Sequence, residues 1–299
     1  MEPKADINAI VCTTGLRNTG SCSCKQILGA TIKAFYTTSD FEFMTKTSAQ
    51  TAADWTTAIQ NKYVYPLPMV LDVEDNSTEA GVYTGSLGRK IKSSNSIWGE
   101  KLFFDVTAFE YSRLFSFDGA KGRIFLVDIK GNGYGTSSNG TKIKGFEIAS
   151  FDVYPYTVAT GQGEIRRMAI AFELANYSEY TKDIVVFEAE FADELTGLVD
   201  VSLGSKSWTT YGCVVTVTRD CDGSGVTGLV AADFVLVDDA GAPKSISSIT
   251  PVSGSAGSYT LAATVELGVD GYVLNLKAPA LMTTKGYEST GPTTGIVTL

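Results

Sequence analysis

The chain has 299 residues, of which 44% are hydrophobic, 11% aromatic and 19% charged, which predicts about two folded domains and excludes a disordered chain. It contains no histidine, which excludes serine–histidine–aspartate and cysteine–histidine catalysis, imidazole bases and histidine-ligated metals. The formal net charge of −9 comes without any basic run, which excludes a groove built to bind nucleic-acid phosphates.

The N-terminal sequence MEPKADINAIVC has neither a basic start nor an apolar stretch, so we expect no signal peptide. No apolar run approaches the length of a membrane helix, so we expect a soluble protein that does not span a membrane. Cys12, Cys22 and Cys24 would need a carboxylate or a water as fourth ligand to hold zinc. We interpret them as reduced thiols. Cys213 and Cys221 are predicted on one continuous strand, too far apart for a disulfide.

Residues 1–202 are predicted to form an antiparallel β-sandwich or barrel domain with one packed helix at about residues 48–63. Thr47 is the predicted N-cap, with Gln50 completing a capping box, and two prolines beyond residue 63 stop the helix. Apolar residues line one face of this helix at helical spacing: Ala52, Trp55, Ile59 and Tyr63.

Short β-rich runs predict six strands in this domain, and a Phe-rich segment predicts a second helical turn at Phe109–Phe115. The predicted strands are Thr31–Thr37, Lys101–Thr107, Arg123–Ile129, Lys142–Tyr154, Glu164–Leu174 and Asp183–Phe191.

The run Gly131-Asn132-Gly133-Tyr134-Gly135 is similar to a dinucleotide-binding fingerprint. The next predicted element is a strand, whereas the fingerprint requires a helix whose N-terminus holds the phosphates. We therefore interpret this run as the tip of a long hairpin.

Two acidic segments are candidate cation sites. An EF-hand loop that starts at Asp220 would need a glutamate where the chain has Ala231, so Asp220-Cys221-Asp222-Gly223 indicates a tight turn. The carboxylates of Asp72, Glu74, Asp75 and Glu79 are expected on an exposed loop, in preference to a weak cation site. We predict no catalytic, cofactor-binding or metal-binding residue, and no enzyme.

The basic and aromatic clusters are expected to serve packing. The pairs Arg89-Lys90 and Arg166-Arg167 are expected to form surface or interface salt bridges. Four tyrosines that would suit sugar stacking are expected to pack in the core or an interface: Tyr154, Tyr156, Tyr177 and Tyr180.

Residues 203–299 have a separate rhythm of short strands divided by glycine- and aspartate-rich turns. The predicted strands are Cys213–Thr218, Phe234–Asp238, Ile246–Pro251, Tyr259–Val265 and Tyr272–Leu276. The segments CVVTVTRDCDGSGVTGLVAADFVLVDDAG, GSYTLAATV and YVLNLKAP resemble an immunoglobulin-like sandwich of the bacterial surface type, which predicts the fold and says little about function.

Three segments of the first domain carry a second resemblance: Cys12–Gln26, Ser112–Thr136 and Lys142–Leu174. Together with the trailing sandwich, they resemble virion structural proteins of tailed bacteriophages, and the order of sheet and helix resembles a tail tube protein. The resemblance implies self-association into stacked rings, expected to be hexameric, with other virion proteins as partners and assembly in the host cytoplasm. It also implies an acidic conduit that DNA passes without specific binding, and an outward sandwich, residues 203–299, in weak contact with the host surface.

Stacking in such proteins would use a long arm, for which Gly131–Gly140 and Glu42–Gln60 are the predicted segments. Two alternatives stay open from the sequence. One is a head decoration or auxiliary capsid protein, and the other is a bacterial surface module that binds glycan or protein.

Overall fold

The computed structural model describes residues 29–137, 139–156, 166–238, 240–264, 267, 271–277 and 283–296. The fold is mainly β with several antiparallel sheets and few helices, as predicted. The chain divides into two compact units, Met1–Thr196 and Gly197–Leu299. The predicted domain boundary after residue 202 falls inside a strand, Val199–Thr209. Within the described residues, no helix is long and apolar enough to cross a bilayer.

The first unit has eleven strands and four short α-helices among its described residues. The strands are β1 (Thr31–Thr37), β2 (Val64–Pro66), β3 (Asp72–Asp75), β4 (Val82–Thr84), β5 (Lys90–Lys92), β6 (Gly99–Phe104), β7 (Arg123–Asp128), β8 (Asn132–Thr136), β9 (Phe146–Tyr154), β10 (Met168–Leu174) and β11 (Ile184–Glu188). The helices are α1 (Lys46–Ala49), α2 (Ala52–Gln60), α3 (Ala108–Leu114) and α4 (Tyr177–Thr181), with 3₁₀ turns at Phe115–Phe117 and Glu190–Glu194.

Nine of these strands form one sheet, with the order β11-β8-β7-β9-β10-β6-β3, and β1 joins β7 to β2. Every pairing is antiparallel. Strand β7 pairs with β1 along its length and with both β8 and β9 on its other edge. Because β8 and β9 share one edge of β7, the sheet bends where β7 pairs with β9. The layer of β6, β9 and β10 therefore packs face to face with the layer of β1 and β7.

Two apolar cores lie on the two faces of the β1–β7 layer. Alternate side chains of a strand point to opposite faces, so Ile124 and Leu126 enter the core shared with β6, β9 and β10. Phe125 and Val127 enter the second core, which α2 covers. The first unit is thus a sandwich of two β layers with a helix packed outside one of them.

The predicted helix at residues 48–63 forms as two short helices, α1 and α2. Its N-cap is Thr45, whose Oγ1 accepts a hydrogen bond from the Ser48 amide at 3.1 Å. The predicted cap at Thr47 is wrong, because the helix starts one residue before it. Trp55 is completely buried in the core as predicted, whereas Tyr63 lies beyond the helix end and is half exposed.

The predicted strands of this unit are confirmed, Thr31–Thr37 with its exact bounds and the others with shifted ones, and so is the helical turn at α3. The first two residues of the predicted strand Glu164–Leu174 lie outside the described residues. The largest error concerns β8. Asn132–Thr136 is a fully buried strand, and the hairpin turn lies before it, at Gly131, where φ is +74° and the amide donates to Asp128 O. Glycine fits inside β8 because a Cβ on Gly133 would lie 2.4 Å from the Phe187 ring.

The second unit contains nine strands among its described residues. They are β12 (Val199–Thr209), β13 (Gly212–Arg219), β14 (Phe234–Asp238), β15 (Pro243–Lys244), β16 (Ile246–Pro251), β17 (Ser258–Ala263), β18 (Gly271–Leu276), β19 (Tyr287–Ser289) and β20 (Thr293–Ile296), with a 3₁₀ turn at Ala231–Asp233. One sheet has the order β16-β17-β13-β12-β19 and the other β15-β14-β18-β20.

In the standard lettering of immunoglobulin strands, the first four strands of the first sheet correspond to D-E-B-A and the second sheet corresponds to C′-C-F-G. This is the strand order of an immunoglobulin-like sandwich. A single core lies between the two sheets, and Val215, Leu236, Tyr259 and Leu274 are each at most 1% exposed in it. Strand β19 runs parallel to β12, and β20 pairs with β18, so the last part of the chain passes from one sheet to the other.

Candidate assembly surface

One part of the first unit belongs to neither β layer. Strands β4 and β5 pair only with each other, and all six of their residues are exposed. We call residues 81–93 the ribbon. A two-stranded hairpin is at best marginally stable in water on its own, so the ribbon has little support from its own pairing.

The ribbon exposes large apolar side chains. Tyr83 pairs with Ile91 across the two strands, so both lie on one face; they are 64% and 55% exposed. Leu87 at the tip is 97% exposed. The tip is closed by the Gly88 amide, which donates to Gly85 O at 2.9 Å, and by a φ of +73° at Gly88, as in three-residue hairpin loops. An exposed apolar cluster of this kind is typical of an interaction surface.

The base of the ribbon is attached to α4. Lys92 Nζ lies 5.4 Å from the centre of the Tyr177 ring. Just after the ribbon, Ser96 O accepts a hydrogen bond from the Tyr180 hydroxyl at 2.9 Å. Because Lys92 lies on the opposite face from Ile91, the apolar face of the ribbon points away from its contact with α4.

The ribbon is basic in an acidic chain. From residue 80 to residue 99 there are three basic residues and no acidic one, against a net charge of −9 for the whole chain. The basic residues are Arg89, Lys90 and Lys92. At the same end of the unit, Glu179 of α4 is paired with Arg123, so its charge is locally balanced.

A second charged segment follows β11. Residues 188–194, which we call the acidic segment, contain four carboxylates and no basic residue. Ala189, Ala192 and Leu195 are buried in the core beneath it, and the Ala189 amide donates to Gly131 O at 2.8 Å. The backbone of the segment is therefore fixed against the β7–β8 turn. The four carboxylate residues are all exposed: Glu188, Glu190, Asp193 and Glu194.

Two buried charged groups lie at this end of the unit. Burial lowers the pKa of Lys33, and the nearby charge of Asp193 opposes that shift. Asp128 is inaccessible to solvent. Burial would raise the pKa of its carboxyl group, but hydrogen bonds from Tyr134, Asn132 and the Gly29 amide outweigh burial and hold the pKa below its usual value. The Asp128 carboxylate thus ties the β7–β8 hairpin to the start of β1.

The outer face of β9, β10, β6 and β3, which we call the open sheet face, is buried along its centre and exposed at its two sides. One row across it runs from Asp152 through Ala171 and Lys101 to Glu74. The next row runs from Tyr154 through Ala169 and Phe103 to Asp72. Alanines therefore follow the centre of this face, and exposed carboxylates follow its two sides.

The cations on the open sheet face are held against aromatic rings. Lys101 Nζ lies 4.8 Å from the centre of the Tyr154 ring. The Arg167 guanidinium lies 4.9 Å from the Phe103 ring and 3.3 Å from an Asp72 oxygen. The predicted pair Arg166-Arg167 precedes β10, so it does not lie within a strand as expected, and Arg167 forms the expected surface salt bridge.

The side chains of the two acidic segments are not arranged as ligands of one metal ion. In the described ranges, no three carboxylates or thiols are placed to bind one ion. Asp72, Glu74 and Asp75 lie on the edge strand β3, so the expected exposed loop is a strand there. The turn predicted at Asp222 is confirmed, because its Oδ1 accepts a hydrogen bond from the Ser224 amide at 2.9 Å.

The structure also changes the interpretation of the glycine run and of the cysteines. In the run Gly131–Gly135 only Gly131 lies in the hairpin turn, and residues 132–135 lie in a buried strand, so the run is neither a phosphate loop nor the tip of a long hairpin. Strand β13 ends at Arg219, so Cys221 lies in the following turn and is exposed, whereas Cys213 is buried and both are free. Cys12, Cys22 and Cys24 lie outside the described residues.

Four tyrosines are expected to pack in the core or an interface, and only part of this set packs within the unit. The Tyr156 ring stacks on Tyr111 with 4.2 Å between ring centres, and Tyr180 packs against Trp98. Tyr154 stays 43% exposed beside Lys101.

The two predicted arms do not project. Strand β8 is buried within Gly131–Gly140, and the segment Glu42–Gln60 places Phe43 and Trp55 in the core. Among the described residues, the ribbon is the segment that stands apart from the sheets, and the sequence pattern does not predict it. Its sequence signals are the Gly-Ser-Leu-Gly turn and the absence of acidic residues around it.

The sequence matches no protein-family model, and no curated protein is significantly similar to it.

Proposed function

We propose that this protein is a self-assembling structural subunit of a phage virion, of the tail tube type that its sequence resembles, and that it acts without catalysis. The observation that carries the proposal is the ribbon. Its apolar face and tip are exposed on a hairpin that has little support of its own. Burial against another copy would remove that apolar surface from water and would support the hairpin.

The open sheet face is our candidate for the wall of a DNA conduit. Its exposed carboxylates would repel phosphates, and its two cations are already held by rings or by a carboxylate. In this proposal the immunoglobulin-like unit decorates the outside of the virion and contacts the host surface weakly.

The test is self-association of the full chain with and without an intact ribbon tip. We expect concentration-dependent assembly in sedimentation velocity and rings or tubes in negative-stain electron microscopy. Leu87→Asp should weaken association at least tenfold, because burying a leucine side chain contributes about 1.5–3 kcal/mol. The melting temperature should be unchanged, since Leu87 is almost fully exposed.

Met44→Asp is the matched control, because Met44 lies outside the ribbon and is 60% exposed. This substitution should leave assembly unchanged. A wild-type chain that stays monomeric at high concentration would contradict the proposal. A monomer that binds tail-less capsid shells would favour the head-decoration alternative.

A further inference from the structure

We infer that copies of this chain associate head to tail, with the basic ribbon of one copy seated on the acidic segment of the next. This inference rests on the proposed function and names the partner of the ribbon. It is carried by the positions and the opposite charges of these two surfaces, both of which belong to the first unit.

The two surfaces lie at opposite ends of β11. Helix α4, which the base of the ribbon contacts through Tyr177, leads into the strand at Ile184. The acidic segment leaves the strand at Glu188. Five residues of extended chain separate these ends by about 13 Å at roughly 3.3 Å per residue. A copy therefore presents a basic surface at one end and an acidic surface at the other.

The charges are complementary. The ribbon contributes Arg89 and Lys90, with Lys92 at its base, and no acidic residue lies from residue 80 to residue 99. The acidic segment contributes four carboxylates, which outnumber the two lysines of this end, Lys33 and Lys130. Opposite potentials on two surfaces steer their encounter and fix their register.

Apolar contacts complement the charges. Beside the acidic segment, Ile129 in the β7–β8 turn is 67% exposed, and a Cβ on the neighbouring Gly131 would contact Glu190. Leu87 at the ribbon tip would meet this isoleucine when Arg89 and Lys90 reach the carboxylates. Because the two contacting surfaces differ, the interface is heterologous, and it repeats from copy to copy until a ring closes or a filament grows.

Charge reversal tests the inference. The ribbon variant carries Arg89→Glu and Lys90→Glu, and it keeps Lys92 for its contact with Tyr177. The segment variant carries Glu188→Lys and Glu194→Lys. Each variant alone should associate at least tenfold more weakly than the wild type in sedimentation velocity, because like charges then meet at the interface.

An equimolar mixture of the two variants should recover assembly, since each reversed ribbon then meets a reversed segment. A chain that carries all four substitutions should also assemble alone. The control reverses two exposed lysines elsewhere, Lys121→Glu and Lys277→Glu, and should assemble like the wild type. Circular dichroism checks that each variant is folded.

The outcomes separate this inference from the proposed function. Suppose that the wild type assembles. If the ribbon variant or the segment variant alone then assembles equally well, or if their mixture stays dissociated although both are folded, the inference is wrong and the proposed function stands. If the wild type does not assemble at all, the proposed function fails, and this inference fails with it.

Discussion

Glycines in β8 show how one residue sets the local packing. Cβ atoms on Gly133 and Gly135 would lie 2.4 Å and 2.8 Å from atoms of the Phe187 and Phe125 rings. Phe187 lies directly opposite Gly133 in the pairing of β11 with β8, so its ring covers the glycine. The sequence shows alternating glycines, which predict a loop, but it does not show the rings that occupy the space above them.

Asp128 gives a prediction at the same scale. Its carboxylate accepts hydrogen bonds from the amides of Gly29, Lys130 and Asn132 and from the Tyr134 hydroxyl. Asp128→Asn would turn an amide donor toward these donors and should destabilise the first unit by about 2–4 kcal/mol at neutral pH. Urea unfolding followed by tryptophan fluorescence measures this change.

The pH dependence has a definite sign. The folded-state pKa of Asp128 is lowered, so its stabilisation is present above the unfolded pKa of about 4 and is lost as pH falls through the folded value. The gap in unfolding free energy between wild type and Asp128→Asn should therefore shrink in acid. Asp152→Asn, at an exposed position of β9, is the control and should have little effect; a gap that stays constant to pH 2 would contradict this account.

At the scale of elements, strands with regular alternation could be predicted closely. The predicted bounds of Thr31–Thr37, Phe234–Asp238 and Ile246–Pro251 are those of β1, β14 and β16. Strands β3 and β8 were missed because their charged residues and glycines oppose β structure locally. Pairing with β6 and β11 overrides that preference.

The start of the first helix gives the element-scale prediction. Thr45 accepts the Ser48 amide through its side chain, whereas the sequence pattern favoured Thr47 as the cap. Thr45→Ala should lower the unfolding free energy of the first unit by about 1 kcal/mol, and Thr47→Ala should change it less. Chemical denaturation of the two variants measures the difference. An equal effect would contradict a cap at Thr45, and a larger effect of Thr47→Ala would place the cap at Thr47.

For the whole molecule, composition and β patterning predicted the mainly β fold and the division into two units. They did not predict the surfaces that we propose for assembly, because the exposure of a side chain is known only when the rest of the fold is known. The Gly-Ser-Leu-Gly turn signals a hairpin tip at Leu87, but no sequence feature distinguishes Tyr83 from a core tyrosine. Likewise, the opposite placement of the ribbon and the acidic segment follows from the strand order and not from their separation along the chain.

The central claim is directional self-assembly, and cryo-electron microscopy of the assembled full chain tests it most directly. We predict closed rings or stacked rings in which residues 81–93 of each copy lie against residues 188–194 of the next, in one direction throughout. In the same map the open sheet face should line a central channel. Assemblies in which the ribbon faces solvent, or in which copies are related by two-fold axes through the ribbon, would contradict the claim.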